Sequence, residues 1–449
     1  MSRFDLIVIG GGSGGVRTAR IAATHGARVA LIERQRIGGT CVHAGCIPKK
    51  LLVYAAQQAR ALRHAERYGF AEAELPALSW SRLLSAVHAE TARLGELYER
   101  NLRAAGVELL RGSARLAGPG AVELEGAVLH AQHIVLATGS HAFVPDIPGR
   151  EHVLTSDDVF HLERLPERVV IAGGGYIALE LASVLAGLGT RVSIVQRGPC
   201  LLTGFDRDLS EHAAAELALQ GMDVLLDSRA VAVEERGQRV RLADGRVLDC
   251  DATVFATGRV PNVEDLGLER AGVAVGERGG IEVDAYQATN VPGIYAVGDV
   301  TDRLQLTPVA IAEGHALADG LFGGERRSVH ARFVPTAVFC EPELAMVGET
   351  ERAARARGVA VDIYRNNFRP LEHALDATGS RALVKLVVDR STQRLLGCHI
   401  AAPHASEIVQ GFAAAMTAGV TKPQLDATIG LHPTVAEELL TLRRPIPDA

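Results

Sequence analysis

The chain lacks several features that would place it outside the soluble metabolic proteins. No run of apolar residues approaches the roughly 20 that a membrane-spanning helix needs. The start, Met1-Ser2-Arg3-Phe4-Asp5, leads directly into an apolar strand, so no secretory signal peptide is expected. Basic charge is not in excess. The formal net charge is -6, spread without blocks, and phosphate binding wants a basic face, so nucleic acid is not expected as a partner. Cysteine is sparse. The six stand at 41, 46, 200, 250, 340 and 398, and only the first two are near neighbours. That pattern excludes a disulfide scaffold and suits a reducing compartment, so the expectation is a cytoplasmic protein with no membrane partner. The gap between Cys41 and Cys46 does not fit the Cys-x-x-Cys of thioredoxins or zinc ribbons, and no metal is expected.

What is present is organised around glycine-rich turns. At 449 residues, with 47% apolar residues, the chain has room for about three domains. Leu6-Ile7-Val8-Ile9 reads as a buried parallel strand, followed by Gly10-Gly11-Gly12-Ser13-Gly14-Gly15 and a helix expected over 16–25. Arg28-Val29-Ala30-Leu31-Ile32 is a second strand ending in Glu33. This is a βαβ unit with G-x-G-x-x-G at its first turn and an acid closing strand two. The glycines admit a pyrophosphate to the helix N-terminus, and Glu33 can accept from ribose hydroxyls.

The pattern recurs. Arg168-Val169-Val170-Ile171-Ala172 is a strand, Gly173-Gly174-Gly175-Tyr176-Ile177-Ala178 the turn, 179–188 an expected helix and Arg191-Val192-Ser193-Ile194-Val195 the next strand. Here Gln196-Arg197 stands where the first unit has its acid. An acid would repel a 2′-phosphate and an arginine would pair with it, so Arg197 points to NADPH. Ile134-Val135-Leu136-Ala137-Thr138-Gly139-Ser140 is a strand running into a tight turn. Asn290-Val291-Pro292-Gly293-Ile294-Tyr295-Ala296-Val297-Gly298-Asp299 is another strand ending in an acid, with a helix cap as the plainer role for Asp299. Val254-Phe255-Ala256-Thr257-Gly258-Arg259 repeats the Ala-Thr-Gly ending for the second nucleotide fold.

Two further segments carry chemistry. Cys41 and Cys46 lie in Gly38-Gly39-Thr40-Cys41-Val42-His43-Ala44-Gly45-Cys46-Ile47-Pro48-Lys49-Lys50. Five positions apart on a regular helix, the sulfurs would be too distant to bond, so a distorted first helical turn is expected. Near the far end, Gly430-Leu431-His432-Pro433-Thr434-Val435-Ala436-Glu437-Glu438-Leu439 places His432 before a helix whose Glu437 can reach back to it. A histidine held by a carboxylate has a fixed tautomer and a raised pKa, as a proton shuttle between thiol and thiolate requires.

Together these motifs resemble the flavin-dependent pyridine nucleotide-disulfide oxidoreductases over essentially the full length. The resemblance is closest to members that reduce glutathione disulfide. It implies an α/β fold: two Rossmann-like dinucleotide-binding domains and a C-terminal α+β dimerisation domain. The implied boundaries are 1–140 for FAD, 141–261 for NADPH, 262–332 completing the FAD domain and 333–449 for the interface of a homodimer. In such a protein Cys46 would be the charge-transfer thiol and Cys41 the interchange thiol. Lys49 and Glu180 would form an ion pair at the flavin edge. Thr40, Thr138, Gly139, Asp299 and Thr307 would contact the flavin cofactor, together with the turn Gly10, Gly12, Ser13, Gly14 and Gly15. Tyr176 would cover the nicotinamide pocket, with Gly173, Gly175, Ile177, Gly258 and Arg259 on the NADPH side. His432 and Glu437 would be the acid-base pair, supplied by the other subunit. Ser13, Arg20 and Tyr98 match substrate positions, and Arg17 adds positive charge on the same helix.

The chain departs from this pattern at four places. Thr203 stands for a second 2′-phosphate arginine, His315 for an arginine near a substrate carboxylate, Glu90 for a tyrosine lining that site, and His43 for an asparagine between the thiols. The first three leave open an amidated glutathione disulfide reduced with NADH, while His43 carries no consequence readable from the sequence. A lipoamide dehydrogenase would want an acid near Gln196. A mercuric reductase or large thioredoxin reductase would want C-terminal thiols, which the tail 443–449 does not carry. A non-catalytic flavoprotein sensor would not need both thiols and both acid-base residues.

Overall fold

The computed structural model describes residues 3–71, 77–329, 332–375 and 379–447. The first two residues and the last two of the tail, on which the readings of the chain's start and end partly rest, lie outside the described residues. The chain divides into two compact units, one of residues 1–49, 81–143 and 258–331, the other of 50–80, 144–257 and 332–449.

The first unit is built on a sheet of seven strands. β1 (Arg3–Ile9) is flanked by parallel β2 (Val29–Glu33) on one side and β6 (Ala127–Leu136) on the other. β3 (Glu108–Arg111) extends the parallel edge beyond β2. β4 (Ala114–Gly118) and β5 (Ala121–Leu124) form an antiparallel wing on β6. Strand Ile294–Ala296 pairs parallel with the far end of β6. Leu6, Ile7 and Val8 have no exposure, which is why the strand reads as an unbroken apolar run. Helix α1 (Ser13–Thr24) and the helix Thr307–Ala318 pack together beside this sheet. The redox segment supplies α2 (Gly39–His43) and the start of α3 (Cys46–Arg63), and α4 (Trp80–Ala104) follows.

The second unit carries two five-stranded sheets among its described residues. A five-stranded parallel sheet runs in the order 223–225, 191–195, 168–172, 252–255, 154–155, with the helix Tyr176–Gly187 after its central strand. Ile171, Ile194, Leu179 and Leu185 have no exposure and form its centre. A five-stranded antiparallel sheet (order 336–338, 344–348, 395–401, 382–389, 361–368) is covered by the helix Ala405–Thr417. The architecture is thus the expected α/β fold with two dinucleotide-type sheets and a C-terminal α+β layer.

Lys385, on strand 382–389, is only 2% exposed, and its ammonium meets Asp206, Asp208 and Glu351 at 2.8, 2.6 and 2.8 Å. Asp206 also caps helix Arg207–Leu219 by accepting from the Asp208 amide. A buried ammonium is tolerated because three carboxylates and their hydrogen bonds replace its water. Replacing the lysine by an uncharged residue would leave the buried Asp206 carboxylate without its counter-charge, at a cost of about 3–5 kcal/mol.

Candidate active site

The thiol pair is set by a break in the helix rather than by one distorted turn. Cys41 lies inside α2, and Cys46 is the first residue of α3. Between them Ala44 leaves helical geometry, with φ -144 and ψ 27. The break folds the chain back, bringing the Cys41 thiol within hydrogen-bonding reach of the Cys46 sulfur. The Cys46 sulfur also lies 3.5 Å from the Thr307 hydroxyl, at the start of helix Thr307–Ala318. The Cys46 pKa falls to about 6, chiefly because Cys41 donates to it. Burial opposes the shift, and Thr307 and the charge of Lys49 add to it. The Cys41 thiol moves the other way, held protonated by its donation to Cys46 and by burial. The pair is therefore one thiolate and one thiol near neutral pH, and deprotonating Cys41 needs a base.

The turn at Gly10–Gly15 fits a dinucleotide. Gly10 has φ +108, and a Cβ there would sit 2.3 Å from the Ala137 carbonyl oxygen. A Cβ at Gly15 would sit 2.0 Å from the Gly10 carbonyl oxygen, so this helix-to-strand approach admits only glycine. Gly12 faces open space, leaving bare backbone before the free N–H groups of α1. Glu33 accepts the Gly11 amide at 2.7 Å and the Gln35 amide at 2.6 Å. A carboxylate retains lone pairs for ribose hydroxyls after two such bonds. Thr138 and Asn262 exchange hydrogen bonds, with the Thr138 hydroxyl donating to one carbonyl and the Asn262 amide to the other, both at 2.8 Å.

Asp299 is not a helix cap: Val297 holds that position, with no side-chain capping bond. Its carboxylate instead accepts the Ser140 hydroxyl at 2.7 Å, and Arg259 donates to the Ser140 hydroxyl and carbonyl at 2.8 and 2.7 Å. Arg259 thus turns toward Ser140 and steadies Asp299 through it. Glu313, on the same helix as Thr307, is 4% exposed and accepts the Gly298 amide and Arg303, each at 2.8 Å. Neither Ser140 nor Glu313 was singled out from the sequence. Asn262, the partner of Thr138, lies three residues beyond Arg259 in Gly258-Arg259-Val260-Pro261-Asn262.

On α1, Arg17 and Arg20 are partly buried and three residues apart, on one face. Tyr98 packs partly buried against the core beneath that helix. His315 approaches Asp319 at 3.5 Å, which also takes His25 at 3.0 Å and Arg327 at 3.1 Å. Glu90 pairs with Arg93 on the surface of α4.

In the second unit the nucleotide turn repeats this geometry. Gly173 has φ +129, with the Ala256 carbonyl oxygen 2.3 Å from where a Cβ would be. Gly175 is open and caps the helix whose first residues are Tyr176 and Ile177. Gln196 folds over Gly174 and donates to the Cys200 carbonyl at 3.0 Å, while Arg197 and Thr203 are exposed beside that turn. Glu180 is buried and accepts the Phe339 amide at 2.9 Å. His432 Nδ1 lies 3.0 and 3.2 Å from the two Glu437 oxygens, and Glu437 also accepts the Thr434 amide at 3.1 Å. The carboxylate is thus anchored and the ring is 81% exposed with Nε2 free of that bond. Cys41, Cys46, Lys49, Thr307 and Asp299 belong to the first unit, and Glu180, Arg197, His432 and Glu437 to the second.

Residues 4–314 match the family model described as pyridine nucleotide-disulphide oxidoreductase, and 334–443 match its dimerisation domain. A glutathione reductase of Burkholderia cepacia is 49% identical over 442 residues, covering 98% of each chain. One from Nostoc sp. is 41% identical, covering 98% of this chain and 99% of its own. The chloroplastic and mitochondrial glutathione reductase of Pisum sativum is 40% identical over 98% of this chain and 82% of its own.

Proposed function

The chain belongs to the pyridine nucleotide-disulphide oxidoreductase family, and on that premise we propose that it reduces glutathione disulfide to two glutathione molecules with NADPH. The carrying observation is its end-to-end likeness to three glutathione reductases. The thiolate–thiol pair at Cys46 and Cys41 supplies the chemistry that this reading requires.

The family implies a flavin and a pyridine nucleotide, which we take as FAD and NADPH. Residues 1–140 and 262–332 are assigned to FAD, 141–261 to NADPH and 333–449 to pairing of two subunits. A bound flavin supplies the two-electron link between nucleotide and disulfide. The turn at Gly10, Gly12, Ser13, Gly14 and Gly15 holds its pyrophosphate, and Glu33 its ribose. Thr40, Thr138, Gly139, Asp299 and Thr307 hold the remainder. Gly173, Gly175, Tyr176, Ile177, Arg197 and Gly258 hold the nucleotide, while Arg259 positions Asp299. Lys49 and Glu180 are assigned to the flavin edge on the resemblance.

Once the pair is reduced, Cys41 loses its proton to His432 of the partner subunit and attacks one sulfur of the substrate disulfide. A mixed disulfide forms, and the departing glutathione thiolate takes that proton back from the imidazolium. The Cys46 thiolate then attacks the Cys41 sulfur, releasing the second glutathione and restoring the Cys41–Cys46 disulfide. Glu437 keeps Nδ1 protonated, so Nε2 is the nitrogen that exchanges the proton. Ser13, Arg17, Arg20 and Tyr98 orient the anionic substrate. Among the described residues no helix is long and apolar enough to cross a membrane. The cysteine usage leads us to place the enzyme in a reducing cytoplasm.

The deciding measurement is steady-state turnover of glutathione disulfide by the flavin-loaded enzyme with NADPH and with NADH. NADPH-driven turnover is expected. Absence of turnover with either nucleotide would remove the reading, and a strong preference for NADH with the amide disulfide would redirect it.

A further inference from the structure

His43 sits between the two thiols, as the last residue of α2. That helix has five residues, too few to hold itself by its own hydrogen bonds. It is entered through Gly38 and Gly39, both with left-handed φ, and left through the break at Ala44. Something outside it must fix its position. His43 Nε2 lies 2.8 Å from the carbonyl oxygen of Ile37, which is itself 2% exposed in the core beside β1 and β2. The bond closes the segment upon its own entry, tying the far end of α2 to a residue that the core holds still.

The ring's state follows from its surroundings. The carbonyl requires the proton on Nε2. Nδ1 is buried and has no hydrogen-bond partner among the described residues. The ring's one hydrogen bond is therefore the Nε2 donation to Ile37. Room for it comes from α4, where Gly95 is buried: a Cβ on Gly95 would stand 3.0 Å from His43 Cε1 and 3.2 Å from Nε2. Any side chain at 95 would press on the ring.

We propose that His43 is a positioning residue of the redox segment: its ring, donating to the Ile37 carbonyl in the space that Gly95 leaves, holds α2 so that the Cys41 thiol can donate to Cys46. The proposal rests on the reading of Cys41 and Cys46 as the redox pair. Without the clamp α2 frays, the Cys41 donor drifts, and the Cys46 thiolate loses its main support.

The test is the pH dependence of Cys46 alkylation by iodoacetamide in the reduced holoenzyme, followed by mass spectrometry of the peptide. In the parent a midpoint near the lowered Cys46 pKa of about 6 is expected. His43→Leu removes the donor and should move the midpoint up by about one unit, the weight of a hydrogen bond to a charged group. His43→Gln keeps an N–H donor and should restore most of the shift. Gly95→Ala, which leaves the redox segment's sequence intact, should move the midpoint the same way by a smaller amount. A parent-like midpoint in His43→Leu overturns the proposal, as does a His43→Gln midpoint displaced as far as that of the leucine variant. If the leucine variant does not fold, a parent-like midpoint in Gly95→Ala overturns it alone. Failure of the parent to turn over glutathione disulfide would instead sink the functional reading, and leaves the alkylation midpoints unchanged.

Discussion

The Cys46 sulfur and the Thr307 hydroxyl, 261 positions apart in the chain, meet at 3.5 Å. Thr307 opens its helix there, so a helix N-terminus and a hydroxyl both favour negative charge on that sulfur. Cys46 accordingly has its pKa lowered to about 6, with Cys41 the larger cause and Thr307 a smaller one. A lowered pKa means the thiolate persists above about pH 6 and is lost as pH falls through that value. In the two-electron-reduced enzyme the long-wavelength absorbance of a thiolate against flavin should follow this titration. Thr307→Val removes a donor to the charged form and should raise the midpoint by about one unit. A midpoint that stays put would mean that Cys46 is not the sulfur being watched.

The two thiols should separate by mutation. Cys41→Ser leaves nothing to attack the substrate, so disulfide reduction should be abolished. The serine hydroxyl still donates, so Cys46 should remain a thiolate and keep the long-wavelength band. Cys46→Ser should lose the band. Substantial turnover by Cys41→Ser, measured with glutathione disulfide, would reverse the assignment.

Arg197 is exposed beside the turn that Gln196 closes, and no acid stands there to repel a 2′-phosphate. One charge-assisted contact supports a preference for NADPH over NADH of roughly tenfold or more. Thr203 carries no charge, so the preference should lie at the lower end. Arg197→Ala should bring kcat/KM for the two nucleotides close together by raising KM for NADPH, with little change for NADH. Equal kcat/KM in the unmodified enzyme would remove the role.

What could be read from the sequence was local. Strand, glycine turn and helix lie within about 20 residues at each nucleotide fold, and the backbone geometry needs glycine at fixed offsets, so the pattern is visible. Both helices nevertheless begin three residues earlier than expected, at Ser13 and Tyr176. The first turn of a helix makes no demand on its own N–H groups, so glycine and small residues are tolerated there. His432 and Glu437 were legible for the same reason of proximity. The Arg259–Ser140–Asp299 chain was not, because Ser140 stands more than 100 positions from each of its two partners and an acid after a strand is equally compatible with a cap. The Lys385 cluster was illegible too: a lysine in an apolar strand gives no sign of which carboxylates will find it.

His432 is 81% exposed although its Nδ1 is fixed by Glu437, an arrangement that makes sense for a ring serving another subunit. Mixing inactive Cys41→Ser and His432→Ala subunits should regenerate hybrid dimers with one intact site, recovering up to about a quarter of the parent activity if exchange is random, since half the dimers are hybrids with one of two sites working. Glu437→Gln should lower kcat by about one to two orders of magnitude, less than the roughly 10²–10⁴-fold that positioned proton transfer contributes, because the histidine itself remains. Full activity from a demonstrably monomeric sample would refute the shared site.

Arg17 and Arg20 present their guanidinium groups on one face of α1, three residues apart, with Tyr98 packed near the same helix. Two cations on one face suit a substrate with two terminal carboxylates, and they disfavour a polycationic disulfide. The free acid of glutathione disulfide should therefore be turned over with higher kcat/KM than the diamide. That advantage should shrink as salt rises, because exposed charges are screened over about 8–10 Å. Arg20→Ala should raise KM for glutathione disulfide several-fold and leave flavin reduction by NADPH nearly unchanged, since the role proposed for the arginine is toward the substrate and not the nucleotide. His315 bears on the same comparison. Its ring lies 3.5 Å from Asp319, a carboxylate already engaged by His25 and Arg327, so this position offers less fixed positive charge than an arginine would. His315→Arg should lower KM for the free acid more than for the amide. Equal or faster turnover of the amide by the unmodified enzyme would make the amide the substrate and give the histidine at 315 its reason.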